Sequence, residues 1–161
     1  MNHQVFVYGT LLTGEVNHHL LAGTELRGTH RTEPCFTMFA LGAYPGVARG
    51  GCAAVCGEIY RIGTKALERL DRLEDYPRLY DRALIPSRFG RAWIYLYRGR
   101  INGQRVIRSG DWRSLTKGAD SFLAAAVRTV VPFSMHRLRQ CRAGAVLRVP
   151  RLKSSASSQI T

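Results

Sequence analysis

Membrane-length apolar stretches are missing from this chain: no run approaches the roughly 20 residues that a spanning helix needs. Yet 45% of its 161 residues are hydrophobic, which is enough for one domain with a buried core. Cysteine is sparse. Cys35, Cys52, Cys56 and Cys141 show no C-x-x-C spacing and have no paired histidines nearby, which argues against a zinc site or a disulfide framework. Cys52 and Cys56 are expected as small apolar fillers. His18 and His19 follow a polar turn without a third ligand, so no metal is expected. The start, Met1-Asn2-His3-Gln4, carries no basic n-region, apolar h-region or cleavage site, and the expectation is a cytoplasmic protein.

Acid is the other shortage. Eleven Asp and Glu face 24 Lys and Arg, a formal charge of +13. Residues 1–117 hold 17 basic and 10 acidic side chains, whereas residues 118–161 hold 7 and 1. Such a balance permits loose association with nucleic acid and helps collect an anionic substrate, but it does not specify a fold. With scattered bases, no aromatic RNA-recognition signature and no zinc finger, it argues against nucleic acid as the main partner.

What is present is a strand-rich pattern. Residues 3–8, led by Val5-Phe6-Val7-Tyr8, read as a strand covered on both sides, broken at Gly9. A turn or two of helix is expected within Glu15–Leu21, and strands over Glu25–Thr32, Cys35–Leu41 and Ala53–Ile62. Gly42-Ala43-Tyr44-Pro45-Gly46 and Arg49-Gly50-Gly51 read as turns. Thr64 is the expected N-cap of a helix carrying Leu67, Leu70 and Leu73 and ended by Pro77. Leu79–Pro86 and Arg91–Tyr97 form an expected hairpin about Phe89-Gly90, and Ile101–Gln104 a tight turn into Arg105–Ile107. The compact pattern stops near Trp112. Residues 1–117 are the expected domain, of α+β class, with a twisted or closed antiparallel-rich sheet. Residues 118–161 are expected to be a basic extension, partly helical over Asp120–Phe133 or disordered.

Two segments carry chemistry. At Tyr8-Gly9-Thr10-Leu11 a glycine lets a ligand approach the main chain, and successive N–H groups of Gly9, Thr10 and Leu11 can converge on a carboxylate as a backbone nest. A plain structural turn is the competing reading. In Leu70-Asp71-Arg72-Leu73-Glu74-Asp75-Tyr76-Pro77, Glu74 falls four residues after Leu70 and seven after Leu67, on their core-facing stripe. Apolar surroundings would raise its pKa toward the range useful for acid–base work. Otherwise Glu74 turns to solvent or pairs with Arg78 or Arg82. Asp71 and Asp75 are expected to be solvated or capping. Tyr44, Tyr80 and Arg82 fit a pocket lining or ordinary packing and surface pairing equally.

Phe6-Val7-Tyr8-Gly9-Thr10-Leu11, Gly14, Asn17-His18, Leu70–Glu74 and Tyr80-Asp81-Arg82 resemble the γ-glutamylcyclotransferase-like family, especially its γ-glutamylaminecyclotransferase and bacterial branch. Ala92–Tyr97 and Ser109–Trp112 look like the same branch, and the resemblance spans about residues 4–113. It implies a small mixed β-barrel flanked by helices. It also implies that Tyr8, Gly9, Thr10 and Leu11 bind the α-amino-acid end of a γ-glutamyl group, with Glu74 at the catalytic glutamate position. The implied reaction releases 5-oxoproline from a small-molecule γ-glutamyl amine or amide, without cofactor. A non-catalytic small-molecule binder of the same fold is the alternative, and no feature of the sequence specifies an oligomeric state.

Overall fold

β1 (Asn2–Val7) lies at the centre of a five-stranded sheet ordered β2-β5-β1-β7-β6. Its neighbours are β5 (Cys56–Gly63), antiparallel with Val5 opposite Tyr60, and β7 (Ala92–Tyr97), parallel with Val5 opposite Trp93. β2 (Glu25–Arg31) and β6 (Tyr80–Ile85) form the edges. β3 (Phe36–Ala40), β4 (Pro45–Arg49) and β8 (Arg105–Val106) make a second sheet, ordered β4-β3-β8. A short 3-10 turn (His18–Leu21) and the helices α1 (Thr64–Leu73) and α2 (Arg113–Lys117) complete the elements. This computed structural model describes residues 1–117; the helix expected over Asp120–Phe133 and the basic extension lie outside the described residues.

The central strand is buried on both sides, as its unbroken apolar run predicts. Phe6 packs with Ile59, Ile94, Phe36, Met38 and Val47, which joins the second sheet to one face. Val5 and Val7 pack on the other face with Tyr60, Ile62 and Tyr95, under Ala66, Leu67 and Leu70 of α1. Each of these large apolar side chains contributes about 1.5 to 3 kcal/mol by leaving water. The architecture is α+β with mixed sheets and few helices. The strand pairings run in two open ladders and do not by themselves close a barrel.

Several local expectations change. Tyr44-Pro45-Gly46 is not simply a turn, because Pro45 opens strand β4. A proline is tolerated at a strand's first position, where its missing N–H is least needed. Gly63, in extended conformation, is the N-cap of α1, and Thr64 is its first helical residue; no side chain caps this end. Cys52 is exposed and fills no core. The five-residue α2 lies beyond Trp112, too short to show helical periodicity in sequence.

Candidate active site

The C-terminal end of β1 delivers Tyr8 into the molecule and then turns back through Gly9. The Leu12 N–H donates to Gly9 O at 3.0 Å, closing the turn. Asn17 ties the loop down twice, with its N–H donating to Thr10 O at 2.9 Å and its Nδ2 to Thr10 Oγ1 at 3.0 Å. The N–H groups of Gly9, Thr10 and Leu11 donate no hydrogen bond among the described residues. They remain available to an acceptor from outside the chain. The Leu11 side chain is core, packed with Leu70 of α1, so only its main chain faces this role.

Gly9 is required for a reason different from unusual torsion angles. It is absent from the positive-φ glycines, and a Cβ there would stand 2.6 Å from Pro45 Cγ. The loop therefore presses against the start of β4.

Glu74 is the residue at which α1 ends. Its N–H still donates to Leu70 O at 2.9 Å, so its side chain continues the stripe of Leu67 and Leu70. The residue as a whole is half-buried, but the carboxyl itself is withdrawn from water, and burial pushes its pKa up to about 8. No cation or hydrogen bond from the described residues offsets this. Arg78 pairs with Asp75 and Arg82 with Asp71, so neither alternative partner of Glu74 is used.

Tyrosines surround that carboxyl. Tyr8, Tyr44, Tyr80 and Tyr95 are each raised in pKa first by their own burial; the negative charge of Glu74 adds to all four, after Tyr97 for Tyr44, Tyr8 for Tyr80 and Asp71 for Tyr95. The hydroxyl protons of Tyr8, Tyr80 and Tyr95 are engaged elsewhere. Tyr8 donates to Tyr95 O at 2.7 Å, Tyr80 to Pro45 O at 3.1 Å, and Tyr95 to Asp71 Oδ1 at 2.6 Å. Asp71 in turn holds Arg82 at 3.2 Å. The Arg82 guanidinium lies 4.4 Å from the Tyr76 ring centre and 5.1 Å from that of Trp93.

The structure thus brings Tyr8, the Gly9 turn and Glu74 together. The sequence misread Asp71, which is not solvated but bonded to Tyr95 and Arg82. Tyr95 was visible only as a strand residue. A hollow of about 560 Å³ lies apart from Glu74, lined by His30, Arg31, Glu58, Arg88 and Arg113 among others. Its Glu58 is committed to structure, accepting from the Thr13 N–H and hydroxyl, each at 2.9 Å. A sheltered acid close to Tyr8, whose following turn leaves main-chain donors open, makes the Glu74 region the better candidate.

Known proteins bear on this arrangement. The family described as gamma-glutamyl cyclotransferase, AIG2-like, matches residues 5–114. This chain belongs to that family. It is 37% identical over 109 residues to the gamma-glutamylcyclotransferase family protein YtfP of Escherichia coli K12, covering 68% of this chain and 95% of that one. A Vibrio cholerae protein that provisionally carries the gamma-glutamylcyclotransferase name is 46% identical over 112 residues, covering 70% and 96% of the two chains. The solution structure of E. coli ytfP superposes with a TM-score of 0.58, at 36% identity, over 70% of this chain and 98% of that one. Among the described residues no helix is long and apolar enough to cross a membrane, and no three His, Cys, Asp or Glu side chains gather to hold a metal ion.

Proposed function

We propose that this gamma-glutamylcyclotransferase-family protein releases 5-oxoproline from a γ-glutamyl amine or amide, with Glu74 as general acid–base and the Tyr8–Leu11 loop as the holder of the substrate's α-amino-acid end. The observation that carries this reading is the Glu74 carboxyl, buried and unpaired beside Tyr8.

A γ-glutamyl group contains its own nucleophile. Its α-amine, once deprotonated, attacks the γ-carbonyl, closes a five-membered ring and expels the second amine. Folding the substrate back on itself supplies much of the barrier reduction, because the reacting atoms are already joined. The acid–base group must first accept a proton from the α-ammonium and later return one to the leaving nitrogen. The substrate's α-ammonium sits beside its own carboxylate and titrates above the roughly 7.7 to 8.0 of a chain terminus. Glu74 at about 8 lies far closer to it than an ordinary carboxyl at 4.5, which lowers the cost of passing the proton. The approaching ammonium also favours ionised Glu74, which desolvation alone disfavours. The open N–H groups after Tyr8 suit a carboxylate or a developing oxyanion.

The test is a panel of γ-glutamyl amines and dipeptides assayed for 5-oxoproline, with Glu74→Gln alongside. Release by the wild type that disappears in the variant is expected. A folded wild type that releases none from any member would overturn the reading in favour of binding without turnover.

A further inference from the structure

The three tyrosine hydroxyls whose bonds are defined around Glu74 all point their protons elsewhere. For Tyr8 and Tyr80 the acceptors are main-chain carbonyls, of Tyr95 and Pro45, which the strands themselves fix in place. Tyr95 differs. Its proton goes to a side chain, Asp71 Oδ1, at 2.6 Å. Asp71 and Glu74 lie one helical turn apart on α1, since the Glu74 N–H still closes the turn onto Leu70 O. The negative charge of Glu74 also reaches Tyr95, but less strongly than that of Asp71, which holds the hydroxyl. Asp71 is held in place by Arg82, whose guanidinium lies over the Tyr76 and Trp93 rings and whose side chain is only 18% exposed.

We propose that Asp71, held by Arg82, is a positioning residue for Glu74: by taking the Tyr95 hydrogen bond it keeps that hydroxyl proton, like those of Tyr8 and Tyr80, turned away from the Glu74 carboxyl. This tyrosine collar accepts a group that brings its own protons, namely an ammonium, and refuses one that brings only acceptors. This rests on the cyclotransferase reading, in which that ammonium is the substrate's. The groups facing Glu74 are Tyr8 at the end of β1, Tyr44 before β4, Tyr80 on β6 and Tyr95 on β7. Asp71 lies on its own helix, and Arg82 of β6 reaches the cluster through Asp71. A Tyr95 proton released toward Glu74 would stabilise the ionised carboxylate and lower its titration.

The experiment follows the Glu74 carboxyl carbon by NMR through a pH titration, its resonance assigned by its loss in Glu74→Gln. The pH profile of 5-oxoproline release is measured in parallel. In Asp71→Ala the midpoint should fall by on the order of one pH unit. Adding Tyr95→Phe should return it to the wild-type position. Asp71→Asn keeps an acceptor for Tyr95 with little change in shape, and should titrate within about half a unit of wild type. An unmoved midpoint in Asp71→Ala would overturn the proposal. So would a double variant as low as Asp71→Ala, since the freed Arg82 charge and not the Tyr95 proton would then be responsible. If Asp71→Ala does not fold, a fall in Asp71→Asn overturns it equally. These shifts seen without any 5-oxoproline release would uphold the positioning role while sinking the cyclotransferase reading; release with shifts absent would do the reverse.

Discussion

Pro45 stands where a side chain at Gly9 would have to be. A Cβ on Gly9 would lie 2.6 Å from Pro45 Cγ and 2.8 Å from its Cδ, and the proline ring, fixed in the first position of β4, has no free rotamer with which to yield. Gly9→Ala should therefore push the loop away from β4 at a cost of about 1 to 3 kcal/mol. A lowered melting temperature together with a raised KM for any cleaved substrate is the expected result. An alanine variant that melts with the wild type would show that the contact is readily relieved.

Glu74 makes stability depend on pH in a defined direction. Its pKa rises from 4.5 to about 8 on folding, so the folded state binds the extra proton between those values. Its contribution is complete below pH 4.5 and is lost as the pH climbs through 8. At about 1.36 kcal/mol per unit, the loss is on the order of 5 kcal/mol. Denaturant melts of wild type and Glu74→Gln at both ends of this window should diverge, with the variant gaining relative stability at the alkaline end. Parallel curves would mean that the carboxyl is well solvated. The same group predicts that kcat/KM falls on the acid side of pH 8.

Glu58 titrates oppositely. Burial alone would raise its pKa, but the Thr13 N–H and hydroxyl, the Tyr60 hydroxyl and the Arg113 guanidinium outweigh this and hold it below the ordinary value of 4.5. Its stabilisation is thus present above that value and disappears as the solution is acidified. Glu58→Gln should lose about 2 to 4 kcal/mol at neutral pH. It should also show a shallower decline in stability below pH 4.5 than wild type, checked by urea melts across the acid range.

Tyr8→Phe deletes the hydroxyl that donates to Tyr95 O at 2.7 Å, leaving a buried carbonyl without that donor. A cost of about 1 to 3 kcal/mol is expected, with the fold retained. If calorimetry instead finds wild-type stability, another donor reaches the Tyr95 carbonyl.

The strands and α1 were legible because their patterns are local. Val5-Phe6-Val7 announces a strand buried on both faces, and Leu67, Leu70 and Leu73 announce a helix with Glu74 on its inner side. Glu74 could be placed because burial of a side chain four residues after a core leucine follows from helical period alone. Asp71 could not. It sits on the flank of the same helix, and what withdraws it from water is Tyr95 and Arg82, brought from strands β7 and β6. Pro45 escaped for the same reason. Its composition says turn, and only pairing with Ala40 across the second sheet makes it a strand. Side chains whose role depends on a neighbour distant in sequence leave no periodic trace.

The bond from Tyr8 to Tyr95 ties together positions 87 residues apart, and β1 receives its parallel partner only from β7. Loops of that length close slowly, and contacts so distant in sequence form late. During synthesis, the tyrosine that emerges eighth waits until residue 97 is available before its strand is flanked on both sides. The tyrosine collar is therefore complete only once Tyr95 joins it, whereas the Gly9 turn and α1 rest on contacts near in sequence.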